Sequence, residues 1–179
     1  KKTPYPTQFA NNRIACALSH YILWAQCYQY QEPVLIMEHD AYFTRKLHGY
    51  YSIIDDTRYD IIGLNEPIGN TRRAGEFQAQ VQHAIDPKRY KNYNAPGAPY
   101  DNKLDIVPVP TVDNFDIPQG LAGNSAYIIK PSGAENLIQA VEKYGLWPND
   151  AIMCKQLIPR MGVTKVHFTD TQKIESTTT

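Results

Sequence analysis

The chain has 179 residues, of which 42% are hydrophobic and 20% charged, and its formal net charge is zero. This length suits one domain with a sizeable core, and we expect a single domain over residues 1–179. The charge balance argues against a partner bound mainly by electrostatic attraction, such as nucleic acid or an acidic membrane surface. No apolar run approaches the roughly 20 residues of a membrane span, and residues 1–10 lack the apolar core of a signal peptide.

The cysteines are odd in number and show no CxxC spacing; they are Cys16, Cys27 and Cys154. This pattern is poor evidence for a disulfide framework or a zinc site. Free thiols in a reducing compartment are the simpler interpretation, so we expect a cytoplasmic protein.

The first half of the chain predicts a helix followed by two strands. Residues 11–30 carry apolar side chains at helical spacing and end at Glu32-Pro33. Residues 34–37 (VLIM) form a short apolar run typical of a buried parallel strand. Residues 59–64 (YDIIGL) predict a second strand. The helix, the break and the apolar strand together indicate an αβ unit.

Residues 66–120 are rich in Pro, Gly, Asn and Tyr and have a weaker pattern. The alternation of Phe77, Ala79 and Val81 with polar residues predicts an edge strand. Residues 104–109 predict another, which Pro108 and Pro110 confine to a sheet edge. We interpret residues 66–120 as a variable, ligand-facing insertion.

Regular patterns return after Gly123. Residues 125–129 (SAYII) predict a strand, and residues 131–143 a helix. A further helix is predicted from Asn149, its expected N-cap, to about residue 160, and a last strand over residues 163–168. The alternation of helices and strands indicates an α/β fold.

The acidic pair Glu38 and Asp40 directly follows the predicted strand at residues 34–37. In α/β sheets, ligands bind beyond the carboxyl ends of the strands. Two carboxylates one residue apart can reach one hard cation, which takes oxygen ligands and can neutralise a diphosphate leaving group. The alternative is an ordinary solvated strand end.

Three other residues have both a structural and a chemical interpretation. Asp150 can interact with a helix dipole or act as the general base that accepts a proton from an acceptor hydroxyl. His167, between Val166 and Phe168, can be a structural hydrogen-bonding residue or a nitrogen ligand of the same cation. His20, beside Ser19 on the first helix, has the same two possibilities.

Two basic pairs, Arg72-Arg73 and Lys88-Arg89, lie among tyrosines in the variable region. Cations interleaved with aromatic rings suit sugar stacking or phosphate contact, although a solvated loop explains them equally well. The sequence contains no G-x-G-x-x-G, P-loop, H-E-x-x-H or G-x-S-x-G pattern, so dinucleotide, ATP, zinc-protease and hydrolase interpretations lack support.

Five segments in order resemble glycosyltransferase family 25, which includes lipooligosaccharide and collagen galactosyltransferases. Residues 14–24 resemble the family's IGCxLSHxxLW helix, and residues 34–43 (VLIMEHDAYF) its hhhLEDDAxF strand and metal motif. Residues 59–64 resemble a further strand of the family. Residues 123–137 resemble its GTxAYhIsxxGAxxLL segment, and Pro148-x-Asp150 the PhD that follows.

The resemblance implies a GT-A architecture, with a mixed, mostly parallel sheet flanked by helices. It implies transfer of a sugar from a nucleotide donor, usually UDP-linked, to a hydroxyl group, with Mn²⁺ or Mg²⁺ as cofactor. Glu38 and Asp40 fall on the donor-metal motif, with Asp40 the expected direct ligand, and Asp150 on a position near the acceptor. Similar sequences occur in phage and giant viruses, so the implied acceptor is a lipopolysaccharide glycan, a protein or modified DNA.

The sequence departs from the family pattern in two places. His39 replaces the middle acidic residue of EDD, which removes one charge but keeps the ExD pair. The family's N-terminal donor-binding strand and its NLxxRxxR segment have no counterpart here. This leaves three alternatives. Either those residues lie on another part of the protein, or the donor pocket is built differently, or the domain is a non-catalytic carbohydrate-binding or structural module.

Overall fold

The structure, a computed structural model, describes residues 10–47, 50–67, 73–84, 106–114 and 116–172. Its helices are α1 (Ala10–Tyr30), α2 (Tyr50–Asp55), α3 (Ala74–His83), α4 (Pro131–Tyr144) and α5 (Asn149–Ile152). Its strands are β1 (Val34–Met37), β2 (Ala41–Phe43), β3 (Ile61–Gly63), β4 (Ile106–Pro108), β5 (Ala126–Ile129), β6 (Met161–Thr164) and β7 (Thr169–Thr171). None of the helices in these ranges is long and apolar enough to cross a membrane.

Helix α1 packs on α4 and on β1, and its buried residues include His20 and Trp24. The buried residues of α1 recur every three or four positions, as one face of a helix requires, and are Ala17, His20, Trp24 and Cys27. The predicted helix is confirmed, but Ile14, Leu18 and Ile22 lie on its exposed side. One face of α1 therefore brings a histidine and a tryptophan against the sheet.

Five strands form the main sheet in the order β1-β5-β3-β6-β4. Only β3 and β6 pair in parallel, whereas β1 with β5, β5 with β3, and β4 with β6 are antiparallel. The predicted mixed α/β class with flanking helices is confirmed. The expected mostly parallel order was wrong, because β5 inserts between β1 and β3 and runs opposite to both, and β1 is an edge strand.

The sequence predicts a ligand beyond the carboxyl ends of the strands, and the strand directions bring several of these ends together. Strands β1, β3 and β6 all point the same way, since β1 and β3 are each antiparallel to β5, and β3 is parallel to β6. Their carboxyl ends therefore share one edge with the beginning of β5. We call this edge the carboxyl edge.

A two-stranded sheet, β2 paired with β7, adjoins the carboxyl edge. Strand β2 begins directly after Asp40, and the backbone N–H of Gln172 donates to the Asp40 carbonyl at 2.8 Å. Asn65, just after β3, forms a parallel bridge with Thr169 at the start of β7. The small sheet thus joins the segments that leave β1 and β3.

The central strands separate two apolar clusters. One cluster contains Ile61 with Trp24 and Tyr127, and the other contains the next residue of the strand, Ile62, with Ile53. Alternate side chains of a strand point to opposite faces, so β3 is buried on both sides. This burial explains its continuous apolar sequence.

Three other sequence predictions differ from the structure. Residues 77–81 lie in helix α3, where Phe77 and Val81 are buried four positions apart. The helix predicted from Asn149 ends at Ile152, and Pro148 rather than Asn149 is its N-cap. The last predicted strand ends at Thr164, so His167 lies between β6 and β7. The edge strand predicted near Pro108 is confirmed as β4, at the end of the sheet.

Candidate functional site

Glu38 and Asp40 lie where the chain leaves β1 at the carboxyl edge. The Glu38 backbone N–H donates to the Ser125 carbonyl at 2.7 Å, which continues the β1–β5 pairing by one residue. Ala41 donates to the Glu38 carbonyl at 3.0 Å, so the chain turns between the two acidic residues. His39, in the turn, is exposed, whereas Glu38 and Asp40 are half-buried. Because of this turn, Glu38 and Asp40 do not follow regular strand geometry.

Several buried polar atoms near this edge have no hydrogen-bond partner within the described part of the chain. They are Oδ1 of Asp40, Nδ2 of Asn124, Oγ of Ser125, Nε2 of His167 and Oγ1 of Thr169. Pairing places Ser125 beside Glu38, and Thr169 beside Asn65. Buried polar atoms are rarely left unpaired, so this edge fits a polar ligand.

The unpaired atoms also fit the cation that the sequence predicts. A hard divalent cation takes oxygen ligands, and the buried Oδ1 of Asp40 is a free carboxylate oxygen with Glu38 two residues away. Glu38 and Asp40 could therefore hold such a cation. Hydroxyls such as that of Ser125 could donate to a phosphate beside it.

A histidine and two aromatic side chains stand behind Glu38. His20 Nε2 lies 3.4 Å from Glu38 Oε1, and His20 Nδ1 lies 2.7 Å from the Tyr127 hydroxyl. Trp24 Nε1 donates to the same hydroxyl at 2.9 Å. His20, Trp24 and Tyr127 are all buried, so α1 and β5 together support the side chain that follows β1.

Asn149 and Cys16 complete the surroundings of His20. The amide nitrogen of Asn149 lies 3.2 Å from His20 Nε2, and the amide oxygen accepts from the Cys16 thiol at 3.9 Å. Ligand atoms of Cys16, His20 and Glu38 lie within 4.8 Å of one another, a spacing that a metal ion could bridge, and no other such group of three occurs in the described ranges. Burial raises the pKa of Cys16, and the charges of Glu38 and Asp150 raise it further.

Asp150 is exposed on the first turn of α5, next to Asn149. Its charge raises the pKa of Cys16, as does that of Glu38, so both acidic residues lie near the Cys16 thiol. An exposed carboxylate at the rim of a site is accessible to an acceptor. This position is compatible with the base role predicted for Asp150, which stays a prediction.

His167 lies outside the group formed by Cys16, His20 and Glu38. It lines a small pocket with Asn65, Phe77 and Gly123. Burial lowers its pKa, the charge of Arg45 lowers it further, and Glu66 acts in the opposite direction. A neutral imidazole with a free Nε2 could ligate a cation, and the role predicted for His167 stays a prediction.

Most of the basic pairs lie outside the described residues, namely Arg72, Lys88 and Arg89. Arg73 forms ion pairs with Glu76 and, at 3.2 Å, with Asp113, so its charge is compensated locally.

Arg45 is a basic residue that the sequence analysis did not select. It is exposed after β2, and its charge reaches His167.

Sequence reasoning also missed Asn149, Asn124, Ser125 and Thr169 as members of the site. The residue type and position of Asn149 favour a helix cap. The sequence around Ser125 predicts the first residue of a strand. The available signal was that polar residues directly precede β5, at the edge where β1 ends.

The fold and these side chains define a class: an α/β protein with unpaired polar side chains at the carboxyl edge of its sheet, where ligands bind in α/β proteins. The family model described as "Glycosyltransferase family 25 (LPS biosynthesis protein)" matches residues 2–153. This match spans most of the chain, so the chain belongs to glycosyltransferase family 25. None of the curated proteins compared with the chain matches it.

Membership of this family identifies the chain as a glycosyltransferase, an enzyme that moves a sugar from a donor to an acceptor. The resemblance inferred from five separate sequence segments is thereby confirmed. The matched residues include Glu38, Asp40 and Asp150.

Proposed function

We propose that the protein transfers a sugar from a UDP-linked donor to a hydroxyl group of its acceptor, with Mn²⁺ or Mg²⁺ held by Glu38 and Asp40. The observation that carries this proposal is the buried, unpaired Oδ1 of Asp40 beside Glu38 at the carboxyl edge. Two carboxylates supply the oxygen ligands that such a cation prefers. His167 is proposed as an additional nitrogen ligand.

The cation, when bound, neutralises the charge that develops on the diphosphate leaving group. The residues around the two carboxylates are suited to the diphosphate itself. The free donors Asn124 Nδ2 and the Ser125 and Thr169 hydroxyls can bind phosphate oxygens. The exposed Arg45 adds a positive charge near His167.

Asp150 is proposed as the general base. In the transfer, the bond between the anomeric carbon and the diphosphate oxygen breaks, and a bond forms to the acceptor oxygen. The proton of the acceptor hydroxyl passes to the Asp150 carboxylate. The exposure of Asp150 at the start of α5 leaves room for a large acceptor.

The family description, which names lipopolysaccharide biosynthesis, favours a lipopolysaccharide glycan as the acceptor over a protein or modified DNA. We also propose that the protein acts in the cytoplasm. Cys16, Cys27 and Cys154 are free thiols, which persist in a reducing compartment.

Calorimetry with UDP, in the presence and absence of MnCl₂, tests the proposal. We expect UDP to bind with Mn²⁺ and to bind much more weakly without it, because the diphosphate charge then lacks its counterion. An affinity for UDP that is the same with and without MnCl₂ would contradict the role of Glu38 and Asp40. Sugar binding without any response to UDP would instead support a non-catalytic carbohydrate-binding module.

A further inference from the structure

A buried series of polar contacts connects Trp24, through Tyr127 and His20, to Glu38. The distances are 2.9 Å from Trp24 Nε1 to the Tyr127 oxygen and 2.7 Å from that oxygen to His20 Nδ1. The last step is 3.4 Å, from His20 Nε2 to Glu38 Oε1. The rings of His20 and Tyr127 are nearly parallel, with an interplanar angle of 10°. These contacts determine which nitrogen of His20 carries the proton.

The indole of Trp24 can only donate, so the Tyr127 oxygen accepts its hydrogen bond. Burial raises the pKa of Tyr127 far above its ordinary value, so the phenol keeps its proton. A buried hydroxyl must donate that proton or lose the free energy of its hydration. His20 Nδ1, at 2.7 Å, is the acceptor within reach. Neutral His20 therefore carries its own proton on Nε2.

The opposite tautomer is less favourable in the contacts of His20 with Tyr127 and with Glu38. If Nδ1 donated to Tyr127, the buried phenol proton would have no acceptor among the contacts of the described residues. The lone pair of Nε2 would then face the Glu38 carboxylate at 3.4 Å. With the proton on Nε2, the contact with Glu38 is attractive. The Asn149 amide nitrogen lies 3.2 Å from Nε2, so this tautomer requires the amide to be turned by 180°, with its oxygen accepting from His20 and its nitrogen facing the Cys16 sulfur.

We propose that His20 is a positioning residue for Glu38: Trp24 and Tyr127 fix its Nε2-protonated tautomer, and this N–H orients one carboxylate oxygen of Glu38. The other oxygen of Glu38 is then free to face the cation. The inference rests on the proposed function in one respect, namely that Glu38 holds the donor's cation. A metal-binding histidine is commonly oriented by a hydrogen-bond partner at its second nitrogen. Here a partner at Nδ1 of His20 orients the N–H that faces the Glu38 carboxylate.

This assignment also distinguishes His20 from a metal ligand. A protonated Nε2 has no lone pair to offer a cation. The short distances among Cys16, His20 and Glu38 are accordingly those of a hydrogen-bonded support. Asn149 belongs to the same support, since its amide lies between His20 and the Cys16 thiol.

The tautomer can be measured by long-range ¹H–¹⁵N correlation of the histidine side chains in the whole protein at neutral pH. The spectrum of His20 is assigned from the signals lost in His20→Gln. If that variant does not fold, single substitutions of the other four histidines assign it by elimination. We expect His20 to be Nε2-protonated. An Nδ1-protonated His20 would overturn the inference whatever the enzyme's activity.

The consequence for Glu38 is tested with Tyr127→Phe, which removes only the hydroxyl. Tyr59→Phe is the matched control, because Tyr59 is also buried but packs in the other apolar cluster. We expect Tyr127→Phe to mix the tautomers of His20 and to weaken UDP binding in MnCl₂ by about tenfold, the lower end for loss of a supporting contact. Tyr59→Phe is expected to change neither.

A Tyr127→Phe protein with mixed tautomers but wild-type affinity for UDP and Mn²⁺ would refute the positioning role. His20→Gln provides a second measurement, because the glutamine amide can still donate toward Glu38. We expect it to keep more affinity than His20→Ala, and equal losses would count against the inference. If the wild-type protein shows no Mn²⁺-dependent UDP binding, the proposed function fails, while the tautomer result still stands or falls separately.

Discussion

Gly120 packs its backbone directly against the short helix that carries Asn149 and Asp150. It forms an antiparallel bridge with Cys154, and the neighbouring Gln119 carbonyl accepts from the Lys155 N–H at 2.7 Å. A Cβ added at Gly120 would lie 2.3 Å from the Met153 carbonyl oxygen. The substitution Gly120→Ala therefore pushes the end of α5 away from residues 119–120.

The expected cost follows from the atom that is struck. Contacts of a Cβ below 3.0 Å are essentially never seen, so the two backbones must separate by several tenths of an ångström. A carbonyl oxygen cannot move aside as the end of a flexible side chain can. Overpacking of this kind costs about 1–3 kcal/mol, and we expect Gly120→Ala to lose about 2–3 kcal/mol of unfolding free energy.

Urea denaturation measures this loss, and Gly75→Ala is the matched control. A Cβ at Gly75 in α3 meets nothing within 4 Å, so the same substitution should be neutral or should stabilise by about 0.5–1 kcal/mol. Turnover should fall in Gly120→Ala at temperatures where it is fully folded, because Asn149 and Asp150 move with α5. A Gly120→Ala protein as stable as Gly75→Ala would refute the packing described between Gly120 and α5.

Two further predictions concern groups outside the carboxyl edge. Gln119→Ala should cost about 1–3 kcal/mol in urea denaturation, because the buried amide accepts from Val112 N–H and donates to the carbonyls of Asp113 and Asn114; wild-type stability would contradict its role in holding that loop. Burial raises the pKa of Cys27 from 9.0 to about 11. The protonated thiol therefore contributes fully to the unfolding free energy below pH 9, and this contribution is lost as the pH rises toward 11. Between pH 9 and pH 11, under reducing conditions, the unfolding free energy of the wild-type protein should fall by up to about 2–3 kcal/mol more than that of Cys27→Ala. Unfolding free energies that change in parallel with pH in the two proteins would contradict the raised pKa.

Elements with a strong local pattern were predictable from the sequence. Helix α1 and strands β1 and β5 follow from helical spacing and from short apolar runs. The order of the strands was not predictable, because β5 is far from β1 along the chain and inserts beside it through nonlocal packing. An apolar run cannot distinguish a parallel central strand from an antiparallel edge strand that is covered on one face.

Helix α3 shows how one pattern supports two structures. Phe77, Ala79 and Val81 alternate as a strand would, yet Phe77 and Val81 are also four residues apart, as a helix requires. In the structure Phe77 and Val81 are buried and Ala79 is exposed. The helix-forming residues around them, such as Gln78 and Gln80, favour the helix.

The acidic pair of the site was predictable, and its support was not. Glu38 and Asp40 are recognisable because they directly follow an apolar strand. His20 reaches Tyr127 across 107 residues, so its role depends on how α1 packs on the sheet. The same holds for Asn149, whose position after Pro148 favours a helix cap in the absence of tertiary contacts.

The most direct test of the central claim is the activity of Asp40→Ala with a UDP-linked sugar donor in MnCl₂. Sugar transfer to an acceptor and hydrolysis of the donor are measured together, since hydrolysis needs no knowledge of the acceptor. Asp170→Ala, in the adjoining small sheet, serves as the control. We expect Asp40→Ala to lose both activities and Asp170→Ala to keep them. Unchanged turnover in Asp40→Ala would contradict a cation site at Glu38 and Asp40.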